Sequence, residues 1–334
     1  MGVLFGAAAH DGPAWYRAEV PARWLREQGI SARVVYDTLD ESQGHLEGVE
    51  AVLVQRARNV DNLPAIRGLK ARGIRTLFEL DDDVWRVPGW NPLRHDFPAD
   101  VLGRMETILA EVDGVVVTTE ALAAVVRRLN PSVTVVDNAV PLDLIPPAWP
   151  SHGADVRIGW AGSATHQGDV VMVTPILRRL LSEHPHLRMT FMGLCPTALA
   201  WEPQVTVKTW VPADRYYEAL AGLECDVMIA PLAPHRFNES KSAVKFYEAA
   251  ALGLPMVASD IGPYRVIQHG VTGFRVPNTA EAWRDTLGRL IRDADLRRQV
   301  GRQARAWVER NASMDVRGPA WADVLGCPAG LVAA

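Results

Sequence analysis

One alternation of apolar runs and helical patterns occurs twice along this chain, with a proline-rich break between the two passes. In the first pass the spacing predicts strands at Val3–Ala9, Ala32–Tyr36, Ala51–Gln55, Thr76–Leu80, Gly114–Thr118 and Thr134–Val136. Helical periodicity fills the gaps at Trp15–Gln28, Leu63–Ala71, Ala99–Val112 and Glu120–Leu129, with Gly29 and Gly73 as stops. The stretch from Asn138 to Pro150 then carries Pro141, Pro146, Pro147 and Pro150, which no regular element tolerates. Beyond it the strands restart at Val156–Trp160, Arg188–Met192, Val205–Thr209, Val227–Ala230 and Pro255–Ser259. Helices are expected at Val170–His184, Ala213–Leu223, Ser242–Leu252 and Thr279–Ala306. Apolar runs flanked by helices mark a parallel sheet covered on both faces. Two passes predict an α/β chain of two doubly wound domains facing a cleft, with ligands at the carboxyl ends of the strands. The expected division is a first domain at 1–140, a linker at 141–154, a second domain at 155–310 and a tail at 311–334. The apolar segment Ala320–Leu325 should return that tail to the first domain.

A length of 334 residues suits two cores of roughly 150 residues each. A net charge of −4 gives no global attraction to nucleic acid or to an anionic membrane. Cys195, Cys225 and Cys327 are too far apart for a metal-binding spacing and odd in number, which fits a reducing compartment. Met1–Ala9 lacks a basic start and reads as a buried strand, not a leader. No run approaches the ~18 apolar residues of a spanning helix, so no transmembrane segment and a cytoplasmic location are expected. No Gly-x-Gly-x-x-Gly follows a strand, which argues against a dinucleotide-dependent oxidoreductase.

The segment Glu239–Asp260 runs Glu-Ser-Lys-Ser-Ala-Val-Lys-Phe-Tyr-Glu-Ala-Ala-Ala-Leu-Gly-Leu-Pro-Met-Val-Ala-Ser-Asp. It resembles the donor-binding signature of retaining GT-B glycosyltransferases, the group that holds glycogen-synthase-like and mannosyltransferase-like enzymes. Gly262, the run Gln268–Val276, the Trp160-Ala-Gly-Ser loop and Val135–Val140 resemble it too. The resemblance implies a GT-B fold of two Rossmann-like domains and a nucleotide-sugar donor held mainly by the second. It implies that Glu248 accepts hydrogen bonds from ribose hydroxyls, a task suited to a bidentate acceptor. It makes the loop after the first strand of the second domain the phosphate loop, with Gly162, Ser163 and His166 as donor contacts. Glycine there lets backbone N–H groups approach an anion; Gly159 and Gly162 are expected to bracket the turn. Where the family carries a first glutamate eight residues before the second, this chain has Ser240, so Glu239 or Asn238 is the substitute. The family's basic pair near the phosphate loop is missing from Ala161–Asp169; Lys241 and Lys245 are expected to replace it. They would share one helix face with Glu248.

In the first domain, His10-Asp-Gly-Pro-Ala-Trp-Tyr-Arg17 follows the first strand, and the resemblance sets this loop near the transferred sugar. Gly12 is expected on the donor side, and Tyr16 and Arg17 toward the acceptor; pairing of Arg17 with Asp11 is the plainer reading. Asp81, Asp82 and Asp83 end another strand, where three carboxylates repel unless paired, solvated or bound to a cation. One reading makes Asp81 and Asp83 a metal-binding DxD pair. The other sets Asp81 at the acceptor and Asp82 or Asp83, with His10, nearest the chemistry. The second is favoured, since the donor signature lies wholly in the other domain and is of a metal-independent type; no cofactor or metal is expected. The acceptor, whether a glycan, a lipid-linked sugar or a modified nucleic-acid base, is open, as are donor base and sugar. Two other activities fit the same donor site: a GT-B-like sugar-nucleotide epimerase, and a nucleotide-sugar-binding protein without turnover.

Overall fold

The computed structural model describes residues 1–36, 46–150 and 153–327; positions 151–152 of the expected linker and 328–334 of the expected tail lie outside them. The described residues build two six-stranded parallel sheets. The first holds β1 (Gly2–Ala7), β2 (Ser31–Tyr36), β3 (Val49–Gln55), β4 (Arg75–Leu80), β5 (Gly114–Val117) and β6 (Val133–Val135), in the order β2-β1-β3-β4-β5-β6. Its helices are α1 (Gly12–Ala14), α2 (Val20–Glu27), α3 (Asn62–Ala71), α4 (Ala99–Glu111) and α5 (Glu120–Val126), with a π-helical turn, Trp15–Glu19, joining α1 to α2. The second holds β7 (Val156–Gly162), β8 (Leu187–Gly193), β9 (Val205–Lys208), β10 (Val227–Ala230), β11 (Met256–Ser259) and β12 (Phe274–Val276), in the order β12-β11-β10-β7-β8-β9. Around it lie α6 (Gln167–Glu183), α7 (Tyr216–Ala221), α8 (Arg236–Glu239), α9 (Val244–Ala251), α10 (Ala280–Arg292) and α11 (Ala294–Asn311), and the chain continues into α12 (Met314–Leu325).

Each sheet is buried on both faces, which is why its strands are apolar at consecutive positions. In the first sheet Leu53, Leu77 and Val116 pack with Trp24 and Trp321, while Val52, Phe78 and Val115 face Ile66, Met105 and Leu122. In the second, Ile158 and Phe191 meet Val173 and Trp283, while Ala161 and Met228 lie in the core that holds Phe246 and Val308. Strand order reverses between β1 and β3 in one sheet and between β7 and β10 in the other. Those reversals open a crevice beyond the strand ends, where ligands of such folds sit.

The chain crosses between the domains twice, and the crossings touch. Val140 donates to the Ala312 carbonyl at 2.9 Å, and Met314 donates back to Val140 at 3.0 Å. Past that point α12 lies on α2; a Cβ on Gly318 would stand 2.3 Å from the Trp24 ring, so only glycine permits the approach. Trp321, 1% exposed, completes the first domain's core.

Three local expectations change. The helix expected over Thr279–Ala306 is two helices, because Asp293 turns extended (φ −114°, ψ 91°) and its carboxylate caps α11 at the Leu296 N–H. β7 runs on to Gly162, so Gly159 is mid-strand instead of in a turn; a Cβ there would sit 2.2 Å from the Cys225 sulfur. β12, three residues long, was not expected from the periodicity.

Candidate functional site

The second domain's side of the cleft is built at the β7/β10 reversal. After Gly162 the chain enters a short 3₁₀ turn, Ala164–His166, and then α6. Lys245, on α9, reaches under this loop and donates to the Ala161 carbonyl at 2.6 Å. A Cβ on Gly162 would lie 2.6 Å from the Trp160 ring and 3.3 Å from the Lys245 Nζ. Burial lowers the Lys245 pKa, opposed by Glu248 and abetted by Lys241. Ser163 is exposed and shares a hydrogen bond with Thr165 at 2.7 Å.

Asp169 ties this loop to the next. One of its oxygens accepts from the Ala233 N–H and the Asn238 amide, both at 2.8 Å; the other lies 2.9 Å from His166 Nδ1. A carboxylate only accepts, so Nδ1 carries the imidazole proton and Nε2 is left as an acceptor. Burial pushes the His166 pKa down to about 4, against the pull of Asp169, so the ring is neutral at pH 7.

Glu248, 6% exposed, accepts hydrogen bonds from two tyrosine hydroxyls: Tyr16 at 2.5 Å and Tyr216 at 3.0 Å. Burial raises its pKa, while Lys245 and the two hydroxyls hold it back. Tyr16, expected toward the acceptor, is therefore a partner of Glu248. It stands on the π-helical turn, an irregularity that occurs frequently at functional sites.

The first domain's side is a chain of charges. Arg56 donates to Asp81 at 2.6 Å and lies 3.4 Å from Asp82, and Asp82 meets Lys241 of the other domain at 3.1 Å. Burial pushes both carboxyls up. For Asp82, Lys241 and Arg56 reverse the shift, whereas Asp81 stays raised beside its charged neighbour Asp82. Nearby, Thr119 donates to the Ser240 carbonyl at 2.8 Å, and the Asn138 amide to Ser242 at 2.8 Å. Trp90 lies edge-on to His235 at 5.6 Å and close against Gly168, where a Cβ would come within 2.3 Å of its indole nitrogen.

Arg17, Asp83 and Lys241 take other places than expected. Arg17 is 0% exposed, donating to Glu79 at 2.5 Å, to the Val136 carbonyl at 2.7 Å and to Asn138 at 3.0 Å. It braces the core beneath the cleft and is neither an acceptor contact nor a partner of Asp11, which caps α1 at the Ala14 N–H. Asp83 is also 0% exposed and paired with Arg86 at 2.9 Å across the 3₁₀ turn that follows it. His10 is exposed and stacks on Tyr36 at the end of β2, with centroids 3.5 Å apart, so its ring partner belongs to the first domain. Lys241 precedes α9 and so does not share a helix face with Lys245 and Glu248; it bridges to Asp82 over the Phe237 ring. Gly12 opens α1 with no atom within 4 Å of its Cβ position. Glu239 ends α8, half-buried, its backbone against Gly262. Among the described residues no group of three His, Cys, Asp or Glu side chains is placed to hold a metal. Asp169, Arg56 and Tyr216 were not singled out from the sequence. Only Asp169, an acid in the first turn of the helix that leaves the loop after β7, left a readable sign.

Two doubly wound domains with a cleft at both strand reversals define the GT-B class, and solved structures agree. A glycosyltransferase from Rickettsia africae superposes with TM-score 0.70 at 14% identity, over 97% of each chain. Sucrose-phosphate synthase from Thermosynechococcus elongatus gives 0.70 at 14%, over 97% of this chain and 98% of that one. HepE from Anabaena, in complex with UDP, gives 0.66 at 14%, over 98% and 100%. Residues 155–293 match the family described as glycosyl transferases group 1. The second domain resembles group 1 glycosyltransferase domains, and the chain is a glycosyltransferase. No curated protein matches it in sequence. No described helix is long and apolar enough to cross a membrane.

Proposed function

We infer that the protein moves a sugar from a nucleoside-diphosphate sugar to an acceptor hydroxyl with retention of configuration, and that UDP is the carrier, as in the HepE complex. The carrying observation is Glu248, a buried carboxylate whose two oxygens already receive two hydroxyl groups. A ribose diol offers the same pair of donors, so it takes the place of tyrosine hydroxyl like for like and leaves no buried acceptor unpaired. Lys245, held at the end of β7, supplies charge to the diphosphate; the N–H groups opening α6 supply more. His166 Nε2 and Glu239 face hydroxyls of the sugar.

In the transfer, the acceptor oxygen bonds to the anomeric carbon as the carbon–oxygen bond to the diphosphate breaks. The electron pair leaves with the diphosphate, which takes the acceptor's proton on the same face. Lys245 then stabilises the charge that develops on the leaving oxygen, and Asp82, held across the cleft by Lys241, orients the acceptor. No metal is assigned a part.

Titration of UDP, GDP and ADP against the protein, followed by assay of UDP release from UDP-sugars with and without added acceptors, tests this. Nucleotide binding with acceptor-dependent release is expected. Binding without any release would leave a nucleotide-sugar-binding protein, and release of an epimerised sugar would mark an epimerase.

A further inference from the structure

A second crevice opens at the other strand reversal, between β1 and β3. It is a cavity of about 230 Å³, bounded by Gly6–Ala8 at the end of β1 and by Gln55, Arg56, Arg58, Asn59 and Asn62 after β3. Its walls are polar, and no carboxylate lines it among the described residues. Among the described residues Arg58 has no carboxylate partner; its guanidinium lies 5.4 Å from the Phe97 ring centroid. Gln55 is 2% exposed, yet its amide nitrogen has no hydrogen-bond partner among the described residues. A buried donor left unpaired costs about 1–3 kcal/mol, so its retention at a cavity wall points to something that accepts from it.

The backbone supports the same reading. Arg56 adopts φ +46°, the left-handed region that a long side chain rarely takes, and strain of this kind gathers at ligand clamps. The turn sends the Arg56 side chain to Asp81 and Asp82, which leaves Arg58, among the described lining residues, as the cation for the cavity. At the same place α3 begins at Asn62, and its N-cap residue, Asp61, makes no side-chain bond to the first N–H groups; these groups and the positive end of the dipole stay open to an anion.

We propose that this cavity binds the phosphate of a phosphorylated small acceptor, such as a sugar or polyol monophosphate, whose free hydroxyl receives the transferred sugar. Arg58 forms the fork on the phosphate oxygens, Gln55 and Asn59 donate, and the space admits one phosphate with a few carbons. The acceptor lies along the Arg56–Asp82 edge, so its hydroxyl reaches the cleft while its anionic end stays in the first domain. No additional co-reactant is needed, since the transfer is the one given above.

This inference rests on the transferase reading, and the experiment separates the two. With UDP saturating, glucose 6-phosphate and glycerol 3-phosphate are titrated by calorimetry against wild-type protein, with glucose and glycerol as neutral counterparts. The phosphorylated probes should bind at least tenfold more tightly than the neutral ones. Arg58→Gln and Asn62→Asp should each weaken the phosphorylated probes about tenfold or more while UDP affinity and melting temperature stay at wild-type values. Failure of wild-type protein to bind UDP would sink the transferase reading. Intact UDP binding with equal affinity for charged and neutral probes, or with no loss in both variants, would overturn the cavity assignment alone.

Discussion

The Tyr16 hydroxyl donates to Glu248 Oε1 at 2.5 Å, joining a turn of the first domain to a helix of the second across 232 residues of chain. A buried carboxylate bridged in this way locks the cleft, and in the function proposed above it also receives the ribose hydroxyls. The two roles separate by mutation. Glu248→Ala should weaken UDP by about 1.5–3 kcal/mol, the range for a hydrogen bond to a charged group. Tyr16→Phe removes a competitor for the same oxygen and should leave UDP binding equal or tighter. Calorimetry of both variants decides; unchanged affinity in Glu248→Ala would remove the residue from the ribose.

Lys245→Ala should cost UDP far more affinity than uridine, because only the diphosphate carries the charge the lysine meets. Parallel titrations of the two ligands measure this. Equal losses would mean that the lysine only holds the Ala161 carbonyl and steadies the loop.

Turnover should persist in excess chelator. Loss in chelator, restored by Mn²⁺, would recast Asp81 and Asp82 as ligands and require Arg56 and Lys241 to release them.

Arg17→Ala strands the buried Glu79, whose carboxyl is pushed up to about 7 by burial even with Arg17 beside it. The expected loss is about 3–5 kcal/mol in urea unfolding. The double variant Arg17→Met/Glu79→Leu should recover most of it, since no unpaired charge remains. A double variant as unstable as Arg17→Ala would show that the packing of the arginine, not its charge, is what counts.

His166 gives a pH signature. Its folded pKa of about 4 lies below the ordinary 6.5, so between those values the unfolded chain takes up a proton that the folded chain refuses. Its contribution is present above pH 6.5 and lost as pH falls toward 4, with a ceiling of about 3 kcal/mol. Comparing wild type with His166→Gln across that window should show the wild type losing stability faster on acidification. Parallel curves would contradict a buried neutral ring.

The fold class was legible because strand and helix periods are set by local burial, and both passes of the pattern carry them. Gly162 and Lys245 lie at the β7 end for the same reason: a strand end and a helix face follow from spacing. What periodicity could not give was the partner of each charge. Arg17 and Asp83 read as cleft residues by position along the chain, yet their pairing with Glu79 and Arg86 depends on which way a turn points the side chain. Lys241 was misplaced because α9 begins three residues after it, and helix starts are the least certain bounds in a sequence. The left-handed turn at Arg56, in a residue with no glycine-like freedom, leaves no trace in composition at all.

The paired crossings at Val140 and Ser313 bear on how the halves move. Two bodies joined by one strap swing freely in every direction, but straps fastened together at a single spot leave little beyond rotation about that spot. Opening would then be widest far from the fastening and nearly nil beside it. Asn138 stands two residues from Val140, so its bond to Ser242 would change little as the halves turn.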